Sequence, residues 1–401
     1  MFDIFNSSKQ KYPIKAWLKE KDDIDSVCLS QSINLSNIPF VFKWIALMPD
    51  THQGYGMPIG GVLALKDHII PNAVGVDIGC GITYSESNLQ VDELDDSKKD
   101  RIISKIMKRV PLGFNHRDEA IMDEEILEFI KKSDYDYKKI NSLYVEINKT
   151  FYQLGTLGGG NHFIEIQKDD DNKIAIMIHS GSRNFGFKVA SYFNEKAKYH
   201  CKKHESYGLA KKQLSFLNVN SESGRSYIEW MKLALVVAKR NREIILDIVK
   251  EILVEETKHI EFSNEINIHH NYVALESHYG EDVWVHRKGA IRVDEGSFGI
   301  IPGAMGSYSY IVKGLANPES FCSCSHGAGR HLSRKAAGKV FAKQEVLKDL
   351  HDSGVKIGIP NKSIIGDESR FAYKNIDIVL ENQSDLCQPY KRLSTVIVIK
   401  G

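Results

Sequence analysis

Residues 154–166 read Leu-Gly-Thr-Leu-Gly-Gly-Gly-Asn-His-Phe-Ile-Glu-Ile, a glycine-rich turn that leads directly into a strand-like segment. Glycine tolerates positive φ and lets the backbone approach closely, so such a cluster marks a tight turn or a loop that holds a ligand. His162 and Glu165 follow the turn, on either side of two apolar residues. The segment therefore predicts a strand that carries functional side chains at its beginning.

Further glycine clusters run from Gly54 to Gly81 and from Gly280 to Gly338, and glycine-poor stretches separate them. In those stretches apolar residues recur at steps of three and four, which predicts helices. Short apolar runs beside the glycine clusters predict strands. The predicted helices cover residues 100–110, 118–132 and 227–258, and the predicted strands cover residues 62–65, 173–178, 283–287 and 395–399. We therefore expect a mixed α/β (α+β) fold, and no Pro/Gly/Ser-rich hinge divides it.

The composition excludes several classes of protein. Among 401 residues, 53 Lys and Arg nearly balance 52 Asp and Glu, which argues against a uniformly basic surface for nucleic acid but leaves room for a local basic cleft. No apolar run approaches the ~18 residues of a membrane span, and the N-terminus lacks the apolar core of a secretory signal. The 6 cysteines show no regular spacing, so we expect free thiols and a cytoplasmic location.

The familiar nucleotide and hydrolase motifs are absent from the sequence. It contains no Gly-x4-Gly-Lys-Ser/Thr, no Gly-x-Gly-x-x-Gly and no Gly-x-Ser-x-Gly. It also lacks His-Glu-x-x-His and Cys-x-x-Cys. If the protein handles a nucleotide, it does so on an uncommon scaffold.

Metal-ligand residue types occur at glycine turns and strand ends. Asp77 and Cys80 lie three residues apart on a tight turn, and His162 and His179 border predicted strands. Neighbours in an extended segment point to opposite faces, so only one of the adjacent His269 and His270 is expected in a given site. Taken singly, the Asp77–Cys80 turn is explained equally well by a buried structural cysteine, and each histidine is more often structural than a ligand. Together they favour a borderline divalent ion such as Mn, Co or Zn.

The segment 323–330, Ser-Cys-Ser-His-Gly-Ala-Gly-Arg, places His326 before a Gly-Ala-Gly turn. The backbone N–H groups of such a turn cradle phosphate oxygens, and a helix predicted over residues 332–349 adds its N-terminal dipole. An imidazole here is a candidate nucleophile that forms a phosphoramidate with a nucleotide. The alternative is a zinc knuckle of Cys322, Cys324 and His326, which lacks a fourth ligand. Residues 302–310 form a second glycine loop that is either a nucleotide contact or an ordinary turn.

Taken together, these strings resemble the RtcB-type RNA-splicing ligases. The matching strings occur in the family's order: Met48-Pro-Asp-Thr-His52-Gln-Gly, Val74-Gly-Val-Asp77-Ile-Gly-Cys80-Gly, Leu154-Gly-Thr-Leu-Gly-Gly-Gly-Asn161-His162-Phe-Ile-Glu165, His179-Ser-Gly-Ser-Arg183, His269-His270-Asn271-Tyr, Arg287-Lys-Gly-Ala, Gly299-Ile-Ile-Pro302-Gly303-Ala304-Met305-Gly306-Ser-Tyr-Ser309-Tyr, Ser320-Phe-Cys-Ser-Cys-Ser-His326-Gly-Ala-Gly-Arg330, Tyr373-Lys-Asn-Ile-Asp377 and Lys400-Gly401. The strings span nearly the whole chain, which makes the series far more specific than any one of them.

The resemblance implies a single domain over residues 1–401, whose sheets form a central cleft for metal and nucleotide and whose helical excursions cover about residues 95–135 and 187–260. It implies a GTP- and Mn²⁺-dependent enzyme, with two metal ions, that joins an RNA 3′-phosphate or 2′,3′-cyclic phosphate to a 5′-hydroxyl. His326 would be the nucleophile that takes GMP and passes it to the RNA as RNA-3′-pp-5′-G. A metal-activated water would first open cyclic ends.

Site residues carry over from the family motif by motif. The metal ligands implied are Asp77, Cys80, His162, His179 and His270. The nucleotide pocket implied is Asn161, His162, Phe163, Ile164, Glu165, His270, Asn271, Pro302, Gly303, Ala304, Met305, Ser309, His326, Gly327, Ala328, Gly329 and Lys400. The family commonly has Pro-Gly-Ser-Met where this chain has Ala304, which removes a hydroxyl from the expected pocket.

The expected partners are RNA and GTP, and we expect a monomer that does not associate with a membrane. Whether an activating protein is needed stays open. The expected positive field is local, from the metal, Arg183, Arg330 and Lys400, with the acidic residues 118–128 away from it. Two alternatives stay open. One is a metal-dependent phosphohydrolase that processes RNA ends without ligation, and the other is a relative that binds RNA or nucleotide without catalysis.

Overall fold

The computed structural model describes residues 1–203, 207–360 and 362–401, and it shows a mixed α/β domain. The α-helices are α1 (Ser26–Leu35), α2 (Pro71–Val74), α3 (Asp96–Arg109), α4 (Glu124–Lys132), α5 (Asn141–Phe151), α6 (Asn184–Lys203), α7 (Tyr207–Lys211), α8 (Glu222–Thr257), α9 (Arg334–Val340), α10 (Lys343–Asp352) and α11 (Ile376–Glu381). The strands are β1 (Phe2–Ile4), β2 (Ile14–Ala16), β3 (Val41–Tyr55), β4 (Met57–Leu65), β5 (His68–Ile69), β6 (Gly81–Gln90), β7 (Phe163–Asp169), β8 (Lys173–Ser180), β9 (Leu217–Asn218), β10 (Phe262–His269), β11 (Asn271–His278), β12 (Glu281–Lys288), β13 (Ala290–Arg292), β14 (Phe298–Ile301), β15 (Ser309–Gly314), β16 (Ser323–Ser325), β17 (Lys356–Gly358) and β18 (Cys387–Lys400). The predicted fold class is confirmed.

Two sheets dominate the architecture. The larger has eight strands in the order β10-β6-β8-β7-β18-β15-β14, with β17 added parallel to β18. The other has six strands in the order β1-β2-β3-β4-β12-β11, and the pairs β13–β16 and β5–β9 stand apart from both. Apart from the β17–β18 contact, the strands of the larger sheet run antiparallel to their neighbours.

The register of the larger sheet brings distant parts of the chain to one edge. Gly81 lies opposite both Ser180 and His269, while Phe163 lies opposite His179 and Lys400. In an antiparallel sheet one strand begins where its neighbour ends. The beginnings of β6 and β7 therefore meet the ends of β8, β10 and β18 at a single edge.

Side-chain alternation gives this sheet two different faces. Ile164 and Ile166 of β7 pack with Ile245 of α8 and Ile106 of α3 in one buried cluster. Burial of an aliphatic side chain of this size contributes about 1.5–3 kcal/mol, so the helices are held firmly on this face. The residues between, Glu165 among them, point to the opposite face. The alternation thus separates a purely apolar layer from a face that is free to build a site.

Most predicted elements agree with the structure. The four predicted strands lie within β4, β8, β12 and β18, and the long predicted helix corresponds to α8. Two helix predictions were wrong in part. The helix predicted from residue 118 begins only at Glu124, where Asp123 caps it by accepting from the backbone N–H of Ile126. The helix predicted over residues 332–349 is two helices, α9 and α10, because the backbone is extended at Phe341 and Ala342 between them.

Among the described residues, no helix combines the length and apolar character that crossing a bilayer requires.

Candidate active site

The predicted metal ligands form one continuous chain of side-chain contacts. Sγ of Cys80 lies 3.4 Å from Nε2 of His162 and 3.2 Å from Nε2 of His179. Nε2 of His179 lies 3.0 Å from Nε2 of His270, and Nε2 of His162 lies 3.3 Å from Oδ2 of Asp77. Residues spread over nearly two hundred positions are thus brought together at the sheet edge.

The backbone decides which side chains enter this cluster. His270 follows β10 directly, and its side chain points into the cluster. Nδ1 of His269 instead lies 3.2 Å from the guanidinium of Arg242. The expectation that only one of the two adjacent histidines enters the site therefore agrees with the structure. Nδ1 of His179 donates to the carbonyl of Asn161 at 3.2 Å, which leaves its Nε2 with a free lone pair directed at the cluster.

Burial favours the neutral forms of Cys80, His179 and His270. It lowers the pKa of His179 and of His270 well below the usual value, and neighbouring histidines lower both further. Burial also raises the pKa of the Cys80 thiol, and Asp77 adds to this effect while Arg242 opposes it. Neutral imidazoles have lone pairs to offer, and a thiol that is costly to ionise alone becomes a thiolate once a cation binds it.

The donor set suits a divalent metal. Cys80, His162 and His179 offer ligand atoms within 4.8 Å of one another, and all three residues are buried. Nδ1 of His162 and Nδ1 of His270 are buried without a hydrogen-bond partner among the described residues. Ring nitrogens and sulfur that face one another at such distances lack enough protons to satisfy every lone pair, and a cation satisfies them. Asp77 and His270 extend the contacts at the two ends of this group, and the buried group of Cys80, His162 and His179 could hold a metal ion.

Cys322, Cys324 and His326, the alternative zinc knuckle, do not gather in this way. Sγ of Cys322 lies 3.6 Å from the carbonyl of Ala316, and Sγ of Cys324 lies 3.5 Å from the carbonyl of Ser325. In residues 1–203, 207–360 and 362–401, the Cys80 group is the one set of three such ligands. The structure therefore gives no support to a zinc knuckle at this position.

His326 lies beside the metal-ligand chain, with its ring centroid 4.6 Å from that of His270. It follows β16, whose pairing with β13 brings it to this place. Oδ2 of the buried Asp50 accepts from Nδ1 of His326 at 2.6 Å and from its backbone N–H at 3.2 Å. A carboxylate can only accept, so Nδ1 holds the proton and Nε2 is the free ring nitrogen.

A cavity of about 980 Å³ opens beside His326. Its size suits a nucleotide. Predicted pocket residues that line it are Asn161, Phe163, Glu165, Pro302, Gly303, Ala304, Met305, His326, Gly327, Ala328, Gly329 and Lys400. The turn after His326 is held by the N–H of Ala328, which donates to the carbonyl of Pro302 at 3.1 Å.

The remaining predicted pocket residues lie outside this wall. His162 and His270 belong to the metal-ligand chain, and Ile164 points into the apolar layer behind the sheet. Asn271 donates through Nδ2 to the carbonyl of Asp77 at 3.1 Å and accepts at Oδ1 from the N–H of Gly289 at 2.9 Å. Its side chain therefore braces two loops rather than facing the cavity. The sequence did not predict this supporting role, because an asparagine next to a metal ligand looks the same whether it contacts a nucleotide or holds two loops together.

Glu165 lies on the cavity wall within a buried polar network. Its Oε2 accepts from Nε2 of Gln167 at 2.6 Å and from the hydroxyl of Thr395 at 3.2 Å. Ser309 lies behind this network, where its hydroxyl accepts from Gln167 at 3.2 Å and from the N–H of Gly303 at 3.1 Å. Burial raises the pKa of Glu165 to about 7, against the opposing effect of these hydrogen bonds and of Lys400.

Three cationic side chains near the site form ion pairs with a carboxylate that the sequence analysis did not identify. Lys400 lies 3.1 Å and Arg330 3.3 Å from the carboxylate of Glu368, and Arg334 reaches the same carboxylate at 3.3 Å. Arg183 donates instead to the hydroxyl of Thr156 and to the carbonyl of Gly113. A single buried carboxylate thus holds three cations at the cavity.

Several residues of the site were missed by sequence reasoning. Asp50 and His52 occur in the quoted string that begins at Met48, but nothing there links them to His326. Lys374, from the string that begins at Tyr373, donates to the carbonyls of Pro49 and Thr51 and so holds the Asp50 loop. Asp22, Asp23 and Asp25 also line the cavity, which places acidic side chains at its rim. Their sequence gave no signal of this.

Comparison with known proteins identifies the family of this chain. A family model described as "tRNA-splicing ligase RtcB" matches residues 31–401. The RNA-splicing ligase RtcB of Escherichia coli K12 is 36% identical over 407 residues, which cover 97% of each chain. The tRNA-splicing ligase RtcB of Pyrobaculum aerophilum is 30% identical, with 98% of this chain and 95% of that one covered, and that of Nanoarchaeum equitans is also 30% identical, with 100% and 98% covered. The chain belongs to the RtcB tRNA-splicing ligase family.

Proposed function

We propose that this protein is a GTP- and Mn²⁺-dependent RNA ligase, which joins a 3′-phosphate or 2′,3′-cyclic phosphate end to a 5′-hydroxyl end in tRNA splicing or RNA repair. The observation that carries the proposal is the position of His326. Its Nδ1 is held by Asp50, it lies against His270 of the metal-ligand chain, and it lines the nucleotide-sized cavity. Membership of the RtcB family supports the same reaction.

The first step follows from the free nitrogen of His326. Nε2 attacks the α-phosphorus of GTP, pyrophosphate leaves, and a phosphoramidate forms on the ring. Asp50 keeps the proton on Nδ1 and stabilises the positive charge that develops on the imidazole. Gly327 and Gly329 line the cavity beside His326, and their backbone N–H groups suit phosphate oxygens, whereas that of Ala328 donates to the carbonyl of Pro302.

The next two steps transfer and then release GMP. An oxygen of the RNA 3′-phosphate attacks the phosphorus on His326, which frees the imidazole and gives RNA-3′-pp-5′-G. The 5′-hydroxyl of the second RNA end then attacks the activated 3′-phosphate, and GMP leaves as the new phosphodiester forms. Divalent metal bound by Asp77, Cys80, His162, His179 and His270 would supply the positive charge that these phosphoryl transfers need.

Glu165 suits recognition of the base. Guanine presents N–H donors on one edge, and the ionised carboxyl of Glu165 accepts such donors from within the cavity wall. Lys400 lies in the same wall and offers a donor to the base or to a phosphate. Glu165 lies on β7 and Lys400 on the neighbouring strand β18, so the pairing of the two strands fixes the distance between these residues.

Incubation with α-labelled GTP and Mn²⁺ tests the proposal. We expect label on the wild-type chain and none on His326→Ala, with His351→Ala, an exposed histidine on α10 outside the cavity wall, as the matched control that keeps its label. Absence of label from the wild-type chain with each of Mn²⁺, Co²⁺ and Zn²⁺ would overturn the proposal. A product assay on RNA with a 2′,3′-cyclic end separates ligation from end hydrolysis alone.

A further inference from the structure

Helix α8 carries two polar residues, Asn241 and Arg242, in its buried middle, and both side chains are fully inaccessible to solvent. The other buried residues of α8 from Met231 to Leu253 are all apolar, as expected for a helix packed on a sheet. Burial of a guanidinium and an amide is costly unless every donor finds an acceptor. Their partners therefore show what the two residues do.

The guanidinium of Arg242 donates to the backbone of two strand-end turns. Nη1 lies 2.9 Å from the carbonyl of Gly79 and 3.0 Å from the carbonyl of Ser180. Nε donates to Oδ1 of Asn267 at 2.8 Å, and Nη2 lies 3.2 Å from Nδ1 of His269, which itself donates to the carbonyl of Gly79 at 3.0 Å. The acceptors of Arg242 are carbonyl and amide oxygens rather than carboxylates, so Arg242 holds backbone segments in place and forms no ion pair with the described residues.

Asn241 binds a further turn from the same helix face. Its Nδ2 donates to the hydroxyl of Ser180 and to the carbonyl of Gly181, both at 3.1 Å. Its Oδ1 accepts from the N–H of Thr156 at 3.2 Å, and Nδ2 lies 3.3 Å from the carbonyl of the same residue. Thr156 begins the glycine turn that leads to His162.

Every contact of Arg242 to a turn falls next to a predicted metal ligand in sequence. Gly79 precedes Cys80, Ser180 follows His179, and His269 precedes His270. The helix also touches the first turn directly, because a Cβ placed on Gly79, which has φ +79°, would lie 2.8 Å from Cβ of Ala238. Ala238, Asn241 and Arg242 share one helix face at steps of three and four.

We propose that Asn241 and Arg242 are positioning residues for the metal centre, which hold the turns bearing Cys80, His179 and His270 at the spacing that divalent metal requires. The inference rests on the proposed function, since it takes these side chains as metal ligands. The planar fork of Arg242 reaches two carbonyls at once, and a lysine cannot reproduce this although it keeps the charge. Removal of partners that orient metal ligands typically lowers metal affinity about 10- to 100-fold.

The test is a titration of the full-length apo-protein with Co²⁺, followed by its visible and near-ultraviolet absorption. Arg242→Lys and Asn241→Ser are compared with wild type and with Arg240→Lys, a matched control on the same helix that pairs instead with Asp123 and Glu243. Each titration is run at a temperature where circular dichroism shows the variant folded. We expect both test variants to bind Co²⁺ about 10- to 100-fold more weakly, and the control to bind as wild type does.

A second readout separates positioning from a general loss of structure. Binding of guanosine to the apo-protein depends on the cavity wall around Glu165 and should stay within twofold of wild type in both test variants. Cobalt affinity within twofold of wild type in a folded Arg242→Lys would overturn the inference, as would parallel losses of cobalt and guanosine binding. If Arg242→Lys does not fold, Asn241→Ser decides by the same criteria. Failure of the wild-type chain to bind Co²⁺ would instead count against the proposed function.

Discussion

Oδ2 of Asp50 lies 2.6 Å from Nδ1 of His326 and accepts the backbone N–H of the same residue. One buried oxygen therefore fixes both the position of the histidine and its tautomer. Asp50 sits on β3, in the six-stranded sheet, while His326 follows β16. The alignment of the proposed nucleophile thus depends on contact between separate sheets.

Replacement of Asp50 by Asn should nearly abolish guanylylation. An amide carries no negative charge to stabilise the imidazolium that forms, and with its NH₂ group facing Nδ1 it favours the tautomer with the proton on Nε2, the atom that must attack. We expect the rate of labelling by GTP to fall about 100- to 10,000-fold. Cobalt binding and guanosine binding should be unchanged, and a labelling rate within threefold of wild type would contradict the role given to Asp50.

Replacement of Cys80 by Ser should remove the thiolate from the metal centre. The wild-type chain loaded with Co²⁺ should show a sulfur-to-cobalt charge-transfer band in the near ultraviolet, and Cys80→Ser should lack it and bind Co²⁺ at least about 10-fold more weakly. Cys201→Ser is the matched control, since Cys201 is also buried but lies on α6. Persistence of the band in Cys80→Ser would show that another cysteine binds the metal.

Binding of guanosine should strengthen as the pH rises through about 7, the pKa to which burial raises Glu165 from its ordinary 4.5. Below this pH the carboxyl is protonated and accepts donors poorly, so affinity should weaken up to about tenfold per pH unit. Glu165→Gln should bind weakly at every pH between 5.5 and 8.5. A wild-type profile as flat as that of the variant would be inconsistent with base recognition by Glu165.

The same shift has a consequence for stability, measurable by denaturant unfolding at each pH. Because the folded-state pKa is raised, Glu165 favours folding most below its unfolded pKa of 4.5, and this contribution is lost as the pH rises through about 7. Glu165→Gln should remove that part of the pH dependence. An unchanged slope in the variant would assign the effect to other groups.

Replacement of Ala304 by Ser should strengthen nucleotide binding. Ala304 lines the cavity in the loop next to Gly303, where a hydroxyl would have access to a bound nucleotide. One additional hydrogen bond is worth about 1 kcal/mol, which corresponds to roughly a fivefold lower Kd for GMP. The measurement is calorimetric titration of GMP in a His326→Ala background. An unchanged Kd would mean that this loop contacts the nucleotide through its backbone alone.

Local patterns were enough to predict much of this molecule from its sequence. The strands around residues 173–178 and 395–399 and the long helix α8 were predicted because their apolar periodicity is local. The candidate ligands were predicted because Asp, Cys and His recur together at glycine turns and strand ends, although each one alone is explained as well by a structural role. The resemblance to a family then tied these scattered residues to one reaction.

The rest depends on contacts between distant residues. Asp50 and His326 are far apart in sequence, and so are Glu368 and Lys400. Sequence periodicity cannot predict that a carboxylate on one sheet will contact an imidazole that follows a strand of another sheet. Arg242 was missed for a related reason, because a single arginine within an amphipathic helix reads as part of its solvated side until the helix is seen packed.

The register of the eight-stranded sheet also bears on how the protein folds. Its functional edge draws on β6, β7, β8, β10 and β18, and β18 lies between β7 and β15 although it comes last among the strands. Such pairings between distant segments form slowly, since the intervening chain must close large loops first. Metal and nucleotide can therefore bind tightly only to fully assembled molecules. Each should slow proteolysis of the whole chain, including strands that neither ligand touches, by drawing the population toward the native state.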